Sequence, residues 1–311
     1  MGAMTNGTPD GRQSRHEPHP NHDRGLEFDL STLMSRRSLG LFLGAGTAAA
    51  LAACTPGGTS SAPSGPASAS GSPAATASAT TTTTAPPATA SASPTMTRAI
   101  AECGVEIPQE TAGPYPGDGS NGPNVLAASG VVRQDITSSF GASTTKAAGV
   151  PLTVTLTLLD NANGCVPLAG AAVYAWHCDK EGRYSLYDSG LENENFLRGV
   201  QEADATGQVT FKTIFPGAYN GRWPHIHFEV FESMNNATAA GQVLAVSQIA
   251  LTDAACREVY ASTGYETSAR NFPNTTLNSD NVFGGDGGIY QLATMSGSVS
   301  GGYTAGLNVT I

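Results

Sequence analysis

TGQVTFKTIFPGAYNGRWPHIHFEV, residues 206–230, sets two runs of alternating β-formers on either side of an irregular segment marked by glycine and proline. In both runs, 207–215 and 225–231, apolar and polar side chains largely alternate, the period of a strand. His225 and His227 lie two apart in the second run, so their alpha carbons sit roughly 6.6 Å apart on one face. Two imidazoles so placed can converge on one ion, or can simply be polar residues on one side of a sheet. The residues around them have to decide.

Outward from this stretch the pattern repeats. PLTVTLTLLD (151–160) alternates, NANG supplies a turn, AAVYAWHCD (171–179) alternates again, and VLAVSQIAL (243–251) adds another strand. The Gly-rich tail between Gly284 and Gly306 holds two further short strand candidates with no order legible between them. No long stretch carries a helical period and no repeat of 20–50 residues is present. The expected fold is all-β, an antiparallel β-sandwich over residues 98–311.

What precedes it differs in composition. Residues 1–54 carry five basic and five acidic residues, 55–97 carry none, and 98–311 carry ten basic and twenty acidic, hence the whole net charge of −10. An acidic domain with no basic patch excludes a nucleic-acid phosphate partner or direct adhesion to an anionic membrane. SRRSLGLFLGAGTAAALAAC has paired arginines, Arg36 and Arg37, an apolar run of modest length, and a Leu-Ala-Ala-Cys ending at Cys54. It reads as a twin-arginine-type export signal peptide whose ending resembles a bacterial lipobox, with Cys54 the lipid-bearing residue and the only link to a membrane. Residues 55–97 are Ser, Thr, Ala, Pro and Gly almost throughout and read as a disordered tether, since they offer little to bury against their ordering entropy. Outside the cytoplasm disulfides persist, so Cys103, Cys165, Cys178 and Cys256 are expected to form two bridges in one of three pairings.

The domain from residue 98 has only three histidines, His177, His225 and His227. That is too few for a copper–zinc dismutase-like sandwich, and the further downstream histidine of a cupin is missing. Other donors must complete any metal site. Glu229 and Glu232 are available, and Tyr219, six residues before His225, is equally placed.

GRY (182–184) followed by residues 206–230, together with ETAGPYPG (110–117) and PLAGAAVYAWHCDKEGRYS (167–185), resembles the core of the intradiol ring-cleavage dioxygenases, non-haem iron(III) enzymes that open catechols between the two hydroxyls with dioxygen. The resemblance runs over most of residues 105–251. Carried over position by position, it implies Tyr184, Tyr219, His225 and His227 as ligands of Fe(III), with Tyr219 the ligand that leaves and acts as base. It implies Arg222 as the stabiliser of negative charge on the ring and Gln248 as a pocket residue. The residue types suit that task, because a trivalent cation binds tyrosine as phenolate although the free phenol has a pKa of about 10. His177 matches no ligand and reads either as structural or as a support behind the ligands; Tyr115 lines the pocket mouth or packs. Relatives specialised for catechol carry a helical N-terminal dimerisation segment that is not recognisable before residue 98, so their oligomer and substrate are not carried over.

A rival reading comes from another class. DATGQVTFKTIFPGAY (204–219) also resembles the strand–turn–strand of small transthyretin-like adhesion or binding modules, which need neither the histidine pair nor Gly-Arg-Tyr at these spacings. The leader is open to a direct test. Cys54→Ala is expected to move the protein from the membrane fraction to the medium, and an unchanged fraction would remove the lipid anchor.

Overall fold

The computed structural model describes residues 104–239 and 241–311. The predicted leader, the tether, Cys54 and Cys103 lie outside the described residues. Nine strands are described: β1 (Pro151–Asp160), β2 (Val166–Pro167), β3 (Ala172–Trp176), β4 (Arg198–Glu202), β5 (Gln208–Ile214), β6 (His225–Phe231), β7 (Val243–Ala250), β8 (Thr294–Ser298) and β9 (Gly302–Thr310). They form a five-stranded sheet, β2-β1-β9-β8 with β5 also on β1, and a four-stranded sheet, β4-β3-β6-β7.

The strands read from alternation fall where the pattern puts them, with β1 and β6 matching at both ends. Every pair is antiparallel except β1 with β9, which run parallel from Leu152↔Tyr303 to Leu159↔Thr310. A parallel pair needs a long crossover, and every other described strand lies between these two in sequence. Strand β4 and the short helices α1 (Met234–Thr238), α2 (Asp253–Tyr260) and α3 (Glu266–Asn271) have no counterpart in the pattern analysis. Each is too short for its period to stand out.

The inter-sheet core follows from alternation. Leu152, Val154, Leu156 and Leu158 of β1 face inward with Val209 and Phe211 of β5, and meet Val173, Ile226, Phe228 and Val230 from the other sheet. Each such side chain contributes about 1.5–3 kcal/mol on burial. In β1 the intervening residues remain partly exposed, so that sheet is buried mainly on one face. Strand β6 differs, because all seven of its residues are buried.

The second face of β6 is covered by chain outside regular secondary structure. Tyr115, Val125 and Leu126 from one segment and Tyr184 with Leu186 and Tyr187 from another close over Tyr174, Trp176 and Phe231. Arg198, fully buried on β4, ties both covers to the sheet. Its guanidinium donates to Pro116 O at 2.8 Å and Tyr174 Oη at 3.2 Å, and to Ser185 O and Ser185 Oγ, each at 3.0 Å. The histidines therefore occupy a third apolar layer outside the sandwich core.

The two expected disulfides are corrected by the structure. Cys165 is disulfide-bonded, whereas Cys178 and Cys256 are free and buried. The two free cysteines sit in different apolar clusters, Cys178 under the outer cover and Cys256 in the inter-sheet core, where each packs as a small apolar residue. Burial raises both thiols well above their ordinary pKa. Neither is therefore expected to react with a thiol reagent in the folded chain, and both should react after denaturation. Peptide mapping of the labelled chain checks this, and a Cys178–Cys256 bridge would contradict it.

Candidate metal centre

Two loops and one strand bring four donors together. His225 and His227 project from the outer face of β6. Tyr184 follows the turn after β3, and Tyr219 sits in the connection from β5 to β6. The two loops meet backbone to backbone. Gly217 N donates to Asp179 O at 2.9 Å, and a Cβ at Gly217 would lie 2.6 Å from Lys180 O. Gly182 has φ +90°, and a Cβ there would come within 3.1 Å of Tyr219 Cβ. Side chains at either glycine would push Tyr184 and Tyr219 apart.

The result is a chain of close polar atoms. Tyr184 Oη lies 3.4 Å from Tyr219 Oη, Tyr219 Oη 3.1 Å from His225 Nε2, and His225 Nε2 3.1 Å from His227 Nε2. Tyr184, His225 and His227 are 1–2% exposed and Tyr219 is half-buried. The His225 ring is oriented by Nδ1, which donates to Trp223 O at 2.5 Å and leaves the Nε2 lone pair facing the other donors. The His227 ring stacks on Trp176, its cross-strand partner, with centroids 4.9 Å apart and planes 6° apart. Tyr115 packs over Tyr184 with ring centroids 4.9 Å apart.

Arg222 and Gln248 join this group. Gln248 lies directly across from His227 in the β6–β7 register. Arg222 Nη2 donates to Gln248 Oε1 at 2.6 Å, and Gln248 Nε2 donates to Thr111 O at 3.0 Å. On its other side Arg222 Nε donates to Asp280 Oδ2 at 2.9 Å. Asp280 and Trp176 are site residues that sequence reasoning missed. Asp280 sits in an Asn-Ser-Asp-Asn run that reads as an ordinary turn, and Trp176 reads as core.

The choice left open between Tyr219 and Glu229 falls to Tyr219. Glu229 shares the histidine face of β6 but lies opposite Tyr174 and Val246, one pleat beyond His227. His177 stands apart from the four donors. It donates from Nδ1 to Cys178 O at 2.7 Å and pairs Nε2 with Thr213 Oγ1 at 2.7 Å, joining the end of β3 to β5.

Without a bound metal, desolvation favours the neutral forms of His225, His227 and Tyr184. Burial, then Arg222, lowers His225 to about 3, and burial, then His225, holds His227 well below its ordinary value. Burial, then Tyr219, raises the Tyr184 phenol well above 10. Two imidazole Nε2 atoms facing each other across 3.1 Å beside two phenols make a donor set that suits a hard trivalent cation. Among the described residues no group of three or more His, Cys, Asp or Glu side chains could hold a metal, so an ion here depends on the phenols.

Residues 121–239 match the family model described as Dioxygenase, a span that contains Tyr184, Tyr219, Arg222, His225 and His227. Among solved structures the chain is similar to an intradiol ring-cleavage dioxygenase from Tetranychus urticae, at 29% identity over 58% of this chain and 86% of that one, TM-score 0.49. It is also similar to the dioxygenase domain of a dioxygenase–carbohydrate-binding protein fusion from Streptomyces sp. SirexAA-E, at 22% identity over 67% and 98%, TM-score 0.43. A third is hydroxyquinol 1,2-dioxygenase from Pseudomonas putida DLL-E4, at 17% identity over 68% of each chain, TM-score 0.40. No curated protein sequence matches the chain. The matched span and the motifs within it make residues 121–239 similar in sequence to that dioxygenase family.

The buried histidines have a consequence for stability in the metal-free chain. A folded pKa held below the unfolded value of about 6.5 means that the unfolded chain takes up protons first as pH falls. Stability is then lost from about pH 6.5 downward until the folded group titrates, near 4 for His177. His177→Gln is expected to flatten the dependence of unfolding free energy on pH over that window by roughly 1.4 kcal/mol per pH unit, measured by urea unfolding across a pH series.

Proposed function

We propose that this protein cleaves the aromatic ring of a catechol between its two hydroxyls with dioxygen, giving a muconate-type diacid, and that Tyr184, Tyr219, His225 and His227 hold the Fe(III) it needs. The observation that carries this reading is the succession of two phenol oxygens and two imidazole Nε2 atoms, each 3.1–3.4 Å from the next. Ferric iron held by these residues would supply the electron-withdrawing power that makes a catechol ring carbon reactive toward dioxygen.

The chain's own residues divide the remaining tasks. Tyr184 is buried under Tyr115 and has no room to swing, so it suits a permanent ligand. Tyr219 is half-buried and comes from irregular chain, so it suits the ligand that moves aside and accepts a substrate hydroxyl proton at Oη. His225 and His227 stay neutral and keep their Nε2 lone pairs for the metal. Arg222, fixed by Gln248 and Asp280, holds a positive charge beside the site where negative charge develops on the opening ring. The aromatic cover of Tyr115, Tyr184 and Tyr187 limits water around that charge.

The leader extends the proposal to place. Arg36–Arg37 and the Leu51–Cys54 ending support export and a lipid anchor at Cys54, which would set this chemistry outside the cytoplasm. Export of a folded, metal-loaded domain is compatible with a site that must assemble from both loops and strand. Catechols derived from plant material fit that location as the substrate class.

The test is the visible spectrum of the purified protein before and after catechol is added without oxygen. A broad tyrosinate-to-iron(III) band that shifts with catechol is expected, and a colourless iron-loaded protein would overturn the ligand set. Tyr219→Phe should retain iron and lose most turnover. Arg222→Ala should retain the band and lower the rate by roughly 10²-fold, the scale of losing one preorganised charge-stabilising donor. Turnover of catechol, hydroxyquinol and protocatechuate in parallel selects the substrate, and no turnover on any of them would count against the reaction.

A further inference from the structure

The C-terminal segment that follows α3 reaches back to the metal centre through one side chain, Asp280. Its carboxylate is buried and accepts two sets of hydrogen bonds, with a longer Arg222 Nη2 contact to Oδ1 at 3.5 Å joining them. Oδ1 accepts from the amides of Val282 and Phe283 at 2.8 and 3.0 Å, which closes the local turn. Oδ2 accepts from Arg222 Nε at 2.9 Å and from the Trp223 amide at 2.6 Å. A carboxylate serving only its turn would need the first set alone; the second set points into the site.

We propose that Asp280 is a positioning residue of this centre, holding the guanidinium of Arg222 beside the four donors and the Trp223 peptide that orients His225. The proposal rests on the roles given to Arg222 and His225 above. The linkage is short. Arg222 is gripped from two sides, by Asp280 and by Gln248, whose own amide is anchored on Thr111 O. Trp223 is fixed at its amide by Asp280 and at its indole by Leu251 O at 2.8 Å, and its carbonyl accepts from His225 Nδ1. Phe283, in the turn that Asp280 closes, packs with its ring centroid 6.4 Å from that of His225.

Electrostatics point the same way. Burial pushes the Asp280 carboxyl upward, but Arg222 and the donated hydrogen bonds more than offset this and hold it below its ordinary value. The pair is thus ionised and buried, an arrangement in which removing one charge strands the other. Asp280 lies beyond the span matched by the dioxygenase model, 58 residues from Arg222, and only the fold brings the two together.

Asp280→Asn tests the proposal in the full-length chain, because asparagine keeps an acceptor for the Trp223 amide and removes the charge facing Arg222. Two readouts apply. The first is modification by phenylglyoxal with peptide mapping, where Arg222 should react about tenfold faster in the variant while buried Arg198 is unchanged. The second is a double-mutant cycle on catechol turnover. Asp280→Asn should lower kcat/KM about tenfold in the native background and less than about twofold in Arg222→Ala, since both changes remove one interaction. Unchanged Arg222 reactivity, Arg222 and Arg198 becoming reactive together, or equal losses in both backgrounds would overturn it, the last two being what a purely structural carboxylate predicts. A native chain that turns over no catechol would retire the functional reading instead, and the modification map would still decide whether Asp280 holds Arg222.

Discussion

Strand β6 is buried on both faces, and the rest of the domain is arranged around satisfying them. Its inner face, Ile226, Phe228 and Val230, is ordinary sandwich core. Its outer face carries two histidines and a glutamate, groups that are costly to bury without partners. The covering segments at 111–126 and 184–187 exist to shield that face, and Arg198 holds them down by hydrogen bonds to their backbones. Polar groups there gain neighbours in place of water, and the same shielding creates the dry environment that a charge-developing reaction needs.

The electrostatics of the centre follow from that burial more than from any pair of charges. Desolvation is the largest influence on His225, His227 and Tyr184, and in each case it favours the neutral form. The site thus presents lone pairs and phenols, and leaves the cation beside its donors, Arg222, to be balanced by Asp280. Under the proposed ferric reading, a trivalent ion would meet phenols that become anionic only on binding it, so net charge would stay low in an interior where uncompensated charge is expensive. Positioning falls to side chains at one remove: Trp176 for His227, the Trp223 carbonyl for His225, Gln248 and Asp280 for Arg222.

Much of this was legible in the sequence, for reasons that are local. A period of two is written into β1 and β6 residue by residue, so their ends could be read directly. Tyr184, Tyr219, His225 and His227 were singled out by short motifs that resemble a known family, and the structure brings these four side chains close together. The two-disulfide expectation failed because counting cysteines says nothing of which apolar layer each occupies; Cys178 and Cys256 are free and belong to different apolar clusters.

What the sequence determined alone is therefore the alternation, the all-β class and the kinds of donor available, since each depends on neighbours within a few residues along the chain. The tertiary structure decided the rest. It chose Tyr219 over Glu229 as company for the histidines, through the glycine contacts that press the 179–184 turn against the 217–219 segment. It paired β1 with β9 in parallel across the length of the domain, and it brought Asp280 to Arg222. These are contacts between residues distant in sequence, and their energy comes from packing and desolvation that exist only once the chain has closed on itself.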